Sequence, residues 1–298
     1  MQWNLPASSA EFRGAIPFPH IVIEDFLDAT SFAALQREFP GFDVGQAKNE
    51  RGEVGGKATF PNVRALGTAY RNLDDAMRSR EFLRDVERAT GIPELLYDPA
   101  YVGGGCHLNM SGQDLDLHVD FNFHPQTRTH RRLNLILFLN DEWQEDWGGC
   151  LELQEDPHDP AGSRNIAVTP RANRAVVFET SERSWHGFSR IHLPQPRAAL
   201  GRRSFAVYFY TEERPTEEIA PPHGTFYMAR PLPDRVLEPG YTLTPEDVWE
   251  LQVLVKRRDT LIDHLYRREL EFARVLHSPS VRLGQALTAP LRWLKRKM

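Results

Sequence analysis

The chain has 298 residues, 41% hydrophobic and 10% aromatic, enough for one large domain, alone or with an appendage, around a substantial core. Its 36 basic and 41 acidic residues leave a net charge of −5, which argues against a nucleic-acid binder, since those carry a basic excess or stripe. Two cysteines, Cys106 and Cys150, form neither a framework nor a CxxC pair; they fit a reducing compartment, with a single disulfide left open. The start MQWNLPASSAEFR lacks the basic and apolar regions of a signal peptide. No apolar run approaches the roughly 18 residues of a membrane span, so a soluble, cytoplasmic protein is expected.

In chain order, FPHIVIEDFL (18–27) reads as a short strand running into a turn. DATSFAALQREFP (28–40) reads as a helix: Asp28 or Thr30 caps it, Phe32, Leu35 and Phe39 recur at helical spacing, and Pro40 stops it. Residues 41–68, rich in Gly, Lys and Asn, read as a mobile loop, and 72–91 as one or two helices ended by Gly91. From Tyr101 the pattern changes to short β-type runs separated by Gly, Pro, Asn and Asp, the signature of an all-β sandwich or barrel. A jelly roll is one such closure, with the preceding helices on the outer face of one sheet.

After Arg214 comes a proline-rich connector (215–243), then a long helical stretch, 244–277. Thr244 caps it, Pro245 takes the first helical position, and Glu246 and Asp247 suit the positive end of the dipole. Its apolar stripe (Val248, Leu251, Leu254, Val255, Leu261, Ile262, Leu265) is expected to pack on the domain or on a second copy in a homodimer. The final segment is basic and carries Leu283, Leu287, Leu291, Trp293 and Leu294. Such an end suits peripheral contact with an anionic membrane, against the equal alternative of a solvated tail or oligomer contact. The expected division is therefore 1–214, 215–243 and 244–298.

The run DLDLHVDFNFH (114–124) alternates as a strand does, so His118 and Asp120 project to one side. An imidazole and a carboxylate on one face make two of three ligands for a divalent metal. His186, in SWHGFSRIHL, is the candidate third, with His124 and His192 as rivals. Two His and one carboxylate leave open positions on the metal, as in non-haem Fe(II) oxygenases. In GRRSFAVYFY (201–210), Arg202, Ser204, Ala206 and Tyr208 face one way and Arg203, Phe205, Val207 and Phe209 the other. A guanidinium with a hydroxyl two residues on is a good carboxylate receptor.

These pieces resemble the 2-oxoglutarate- and Fe(II)-dependent dioxygenases, in particular the prolyl-4-hydroxylase-like branch. HVD (118–120), His186 and GRRSFAVYFYT (201–211) look like its HxD…H…R pattern in order, and RRLNLILFLND followed by WGGCLEL looks like its central strands. The resemblance spans roughly residues 15–214. It implies a mainly β fold, a double-stranded β-helix (a cupin-like jelly roll) with flanking helices, to which the helical C-terminal extension is added. It implies Fe(II) on His118, Asp120 and His186, 2-oxoglutarate as cosubstrate and O2 as oxidant. The distal carboxylate of 2-oxoglutarate is expected on Arg202 by strand register, ahead of Arg203 and Arg197. Ser204 is expected in the same pocket, lined by Asn134, Ile136 and Phe138. Hydroxylation of an unactivated C–H bond, with release of succinate and CO2, is the implied chemistry. The expected substrate is a small molecule, a glycan or a lipid-linked compound, with a prolyl residue in a protein as the alternative. Residues 41–68, with Gly52, Gly55 and Gly56, are expected to form a lid. Two readings of other classes stand beside this one: a metal-free, cupin-like binding module and a zinc hydrolase.

Overall fold

The structure is a computed structural model and describes residues 1–43, 46–47, 57–159, 162–281 and 283–284. Its elements in order are α1 (Ala10–Gly14), β1 (His20–Ile23), α2 (Ala29–Arg37), β2 (Lys57–Phe60), α3 (Thr68–Met77), α4 (Arg80–Thr90), β3 (Leu96–Tyr97), β4 (Gly105–Asn109), β5 (Leu115–Val119), β6 (His130–Phe138), β7 (Leu151–Gln154), β8 (Asn165–Val168), β9 (Ala175–Glu179), β10 (Trp185–Phe188), β11 (Arg202–Thr211), β12 (Phe226–Tyr227) and α5 (Pro245–Leu276).

Two sheets result. The larger runs β1-β9-β6-β11-β4-β2, with β3 also on β11, and the smaller runs β12-β5-β10-β7-β8. From β4 to β11 the chain passes back and forth between them, and the pairings are antiparallel. This is the expected jelly roll. Strand alternation gives the larger sheet two chemically different faces. On the outer face, Leu133, Leu135, Leu137, Val177, Phe205, Val207 and Phe209 pack against Leu35 of α2, Leu73 and Met77 of α3, and Phe82 and Val86 of α4. Each such side chain contributes roughly 1.5–3 kcal/mol by leaving water. On the inner face Phe138, Val176 and Phe178 meet Leu151, Leu153 and Val168, and this smaller apolar cluster closes one end of the space between the sheets.

Local chemistry sets the helix ends. Asp28 caps α2: one carboxylate oxygen accepts from the Ser31 amide at 2.9 Å, the other from the Gln2 amide at 2.8 Å. The stretch 72–91 divides in two because Ser79 starts a new helix, its hydroxyl accepting from the Phe82 amide at 3.1 Å.

Two regions differ from the sequence expectation. The stretch read wholly as a loop contains β2, which pairs with β4; its Ala58 is small enough to lie against Leu108 on the outer face. Gly52, Gly55 and Gly56 of the expected lid lie outside the described residues. In the proline-rich stretch, Phe226 and Tyr227 form β12 and pair with Val119 and His118 of β5. Cys106 and Cys150 are free thiols.

The chain divides into two compact units, Met1–Met228 and Ala229–Met298. In the second, Thr244 and Asp247 close a reciprocal capping box at the start of α5, and Tyr241 donates to Asp247 at 2.7 Å. Val255, Ile262 and Leu265 of the apolar stripe are exposed. The basic end from Leu287 onward lies outside the described residues. Among the described residues, no helix is long and apolar enough to cross a membrane.

The bonds to Asp28 hold its carboxyl at about 2, with the Gln2 and Ser31 amides as the main causes. A carboxylate held below its unfolded value stabilises the fold above that value, and the stabilisation is lost as the pH falls through the folded one. Asp28→Ala is expected to lower the unfolding free energy by about 1 kcal/mol at neutral pH. In urea titrations, the gap to wild type should shrink as the pH drops from about 4 towards about 2.

Candidate active site

β5 and β10 lie side by side in the smaller sheet, with His186 directly opposite His118. Their rings are 4.2 Å apart between centroids. Asp120 follows immediately after β5. One ligand atom from each of His118, Asp120 and His186 lies within 4.8 Å of the other two. Gly187 permits the approach of the strands: a Cβ there would stand 2.5 Å from the backbone oxygen of Leu115.

The protonation states suit a metal. Nδ1 of His118 is 3.0 Å from the Asp116 carbonyl, and Nδ1 of His186 is 2.9 Å from the Ser184 carbonyl. A carbonyl only accepts, so each Nδ1 carries the hydrogen and each Nε2 turns its lone pair to the centre. Burial and the neighbouring His186 push His118 down to about 3, so it is neutral at physiological pH. Asp120 is held well below the usual carboxylate range, against the cost of burial, by Arg131 and the two histidines.

Arg131 was not singled out from the sequence. It is 1% exposed, and its guanidinium lies 3.0 Å from Asp120 Oδ2. It also donates twice to Asn134 Oδ1, at 3.0 and 2.8 Å, while the Asn134 amide donates to Asp120 Oδ2 at 2.8 Å. Tyr208 and Phe121 offer their ring faces to the guanidinium at 3.6 and 4.5 Å. Simple alternation from Asn134 would turn Arg132 inward instead. A register shift in the β6–β11 pairing leaves Leu133 opposite Phe209 but Arg131 opposite Tyr210, and so brings Arg131 inside. With Oδ2 occupied by two donors, Oδ1 is left for a cation.

The three candidate arginines separate by face. Arg203 points outward over Phe39, and Arg197, half exposed, pairs with Glu142. Arg202 is 4% exposed and turns inward. Its Nε donates to the Gly149 carbonyl at 2.6 Å, and its guanidinium lies against Phe138 and Phe188 at 5.0 and 4.5 Å. Among the described residues no carboxylate pairs with it, and burial pushes it down to about 10. Ser204, buried, lies beside it on the inner face between Phe138 and His107. Among the described residues the buried Nε2 of His107 has no hydrogen-bond partner. A buried cation and an orphaned imidazole nitrogen beside a hydroxyl fit a bound carboxylate.

The structure therefore brings Arg202, Ser204 and Phe138 together. Ile136 lies further along the same face opposite Ala206, and Asn134 sits at the metal end, committed to Asp120 and Arg131. Of the rival histidines, His124 lies 3.5 Å from Asp98 and accepts from the backbone amides of Gln126 and Thr127, away from the triad; His192 is exposed. His107 is not in the triad, but its place on the inner face follows from pairing with Ser204, which no local pattern reveals.

The model of the 2OG-Fe(II) oxygenase superfamily matches residues 105–211, the segment that carries the triad and Arg202. Residues 105–211 are thus a segment of the 2OG-Fe(II) oxygenase type. Its cofactors, Fe(II) and 2-oxoglutarate with O2 as oxidant, suit the donor set described above. Similar solved structures include a Pseudomonas putida prolyl-4-hydroxylase (18% identity, 69% of this chain and 100% of that chain covered, TM-score 0.45). A Phytophthora capsici prolyl 4-hydroxylase is another (17%, 96% and 88%, 0.47). HygX from Streptomyces hygroscopicus, with nickel, 2-oxoglutarate and hygromycin B bound, is a third (12%, 69% and 91%, 0.44). No curated protein gives a significant match to the chain.

In the oxygenase, Arg131 and Asn134 are positioning residues for Asp120. Groups that orient a metal ligand are typically worth 10–100-fold in metal affinity. Arg131→Met and Asn134→Ala are each expected to weaken Fe(II) binding by about tenfold or more, measured by anaerobic titration, with thermal unfolding as the check that the fold survives.

Proposed function

We propose that this oxygenase hydroxylates an unactivated C–H bond of a small-molecule, glycan or lipid-linked substrate while 2-oxoglutarate is converted to succinate and CO2. The observation that carries the reading is that two different receptors share one interior: a His–Asp–His set, and a buried arginine that among the described residues has no carboxylate partner. A hydrolytic zinc site would explain the first receptor but not the second. When bound, Fe(II) and 2-oxoglutarate supply the activation of O2.

The chain's own residues orient and exclude. His118, Asp120 and His186 would hold the metal from one side, leaving the other open. Arg202, with its planar fork fixed by Gly149 and flanked by Phe138 and Phe188, would take the distal carboxylate through paired hydrogen bonds. Phe178 and Tyr227 support the imidazoles: Phe178 lies 4.8 Å from His186, and Tyr227 stacks on His118 at 5.1 Å. Tyr227 is 44% exposed, which gives the approach to the metal an aromatic wall. The basic, Trp-bearing end of the sequence supports a substrate at or near a membrane surface.

The test is optical. Anaerobic protein given Fe(II) and then 2-oxoglutarate should develop the weak visible charge-transfer band of the chelate. His186→Ala should abolish the band, and Arg202→Ala should raise the 2-oxoglutarate needed by at least about tenfold. Iron-loaded wild type without a band would overturn the proposal and favour a hydrolytic role. Failure to bind iron at all would favour a binding module.

A further inference from the structure

β2 extends the larger sheet beyond β4. Its register sets Lys57 opposite Asn109, and Asn109 lies opposite Arg202 on β11. Cross-strand neighbours share a face, so these three form a row across the inner face of the sheet. The next residue, Ala58, turns the other way onto Leu108. Lys57 is exposed at the sheet edge, and its ammonium is pulled below its usual pKa by desolvation and by Arg202, with Asp120 acting in the opposite sense. It also acts on His107 and His118. These relations place a second cation in the cleft, within electrostatic reach of both the metal set and the cosubstrate arginine. Among the described residues the Lys57 ammonium has no hydrogen-bond or ion-pair partner.

Among the described residues the charges do not balance without a further anion. Asp120 is neutralised by Arg131. Fe(II) and the 2-oxoglutarate dianion cancel one another. Arg202 and Lys57 then leave two positive charges in the cleft, and the cosubstrate has only one distal carboxylate to offer. The two cations also differ in kind. Arg202 is fixed between rings and suited to a carboxylate held in one orientation. Lys57 is a point charge on a flexible stem at a sheet edge, suited to an anion that arrives and leaves.

Resting on the oxygenase reading, we propose that Lys57 binds an anionic group of the substrate, a carboxylate or a phosphate, so that the enzyme selects acidic small molecules or phosphate-bearing glycan or lipid precursors. Propionate and methylphosphonate serve as probes, titrated calorimetrically into anaerobic protein already loaded with Fe(II) and 2-oxoglutarate, with the chelate band reporting the loading. At least one probe should bind wild type. Lys57→Met should weaken it about tenfold, the value of one charge-assisted hydrogen bond, and Lys57→Arg should retain it. The 2-oxoglutarate requirement of Lys57→Met should change by less than about twofold. The probe that binds tells carboxylate from phosphate. If neither probe binds, if both bind Lys57→Met as they bind wild type, or if Lys57→Met raises the 2-oxoglutarate requirement as Arg202→Ala does, the proposal is overturned. A wild type that never forms the chelate band would instead overturn the oxygenase reading beneath it.

Discussion

The ion pair between Asp120 and Arg131 is what allows a carboxylate to stand ionised between the two sheets. Removing a charge from water costs several kcal/mol, and a lone buried carboxylate would take up a proton instead. Here the cost is offset by a guanidinium 3.0 Å away and an amide 2.8 Å away, both on the same oxygen. The pair does two things at once. It keeps the negative charge that a divalent cation needs, and it fixes the rotation of the carboxylate, so that Oδ1 lies 3.7 Å from His118 Nε2 and Oδ2 lies 3.3 Å from His186 Nε2. Arg131 is in turn held by two bonds to Asn134 and by the rings of Tyr208 and Phe121. The geometry of the candidate ligand set thus rests on residues outside it, chiefly from β6 and β11.

Such a centre needs a stiff support, and the larger sheet provides it by separating its two faces. The outer face is aliphatic and aromatic and is covered by α2, α3 and α4, so most of the burial that stabilises the domain occurs there. The inner face is then free to carry Arg202, Ser204, His107 and Asn134, polar groups that would be costly in a core built only for stability. Alternation within single strands makes this possible: in β11 Phe205 faces the helices while Ser204 faces the cavity.

Much of this was legible in the sequence because it depends on short periods. The two-residue spacing of His118 and Asp120, the alternation of β11 and the succession of turn-bounded strands all appear within windows of about ten residues, where side-chain direction follows from strand geometry. Strand register favours Arg202 over Arg203 and Arg197 in the sequence, and the structure puts Arg197 in an exposed turn, Arg202 inside and Arg203 outward over Phe39. Arg131 was hidden by a register shift that reverses the face implied by counting from Asn134. Lys57 was hidden because a four-residue strand inside a stretch rich in Gly, Lys and Asn has too little pattern of its own. Its strand exists through pairing with β4, some fifty residues later, and pairing at that distance leaves no local mark.

β12 shows how a segment that looks like linker can belong to a metal centre. Phe226 and Tyr227 hydrogen-bond along the outer side of β5, the strand that carries His118. Without those two residues β5 would end the smaller sheet, with a row of unpaired backbone groups beside the site. An open edge of that kind recruits strands from other molecules. A protein cut after residue 214, where the recognisable motif ends, would therefore retain every ligand yet present its metal strand as a template for self-association. The practical boundary of the oxygenase lies beyond Tyr227, and expression of any shorter piece would report on aggregation rather than on chemistry.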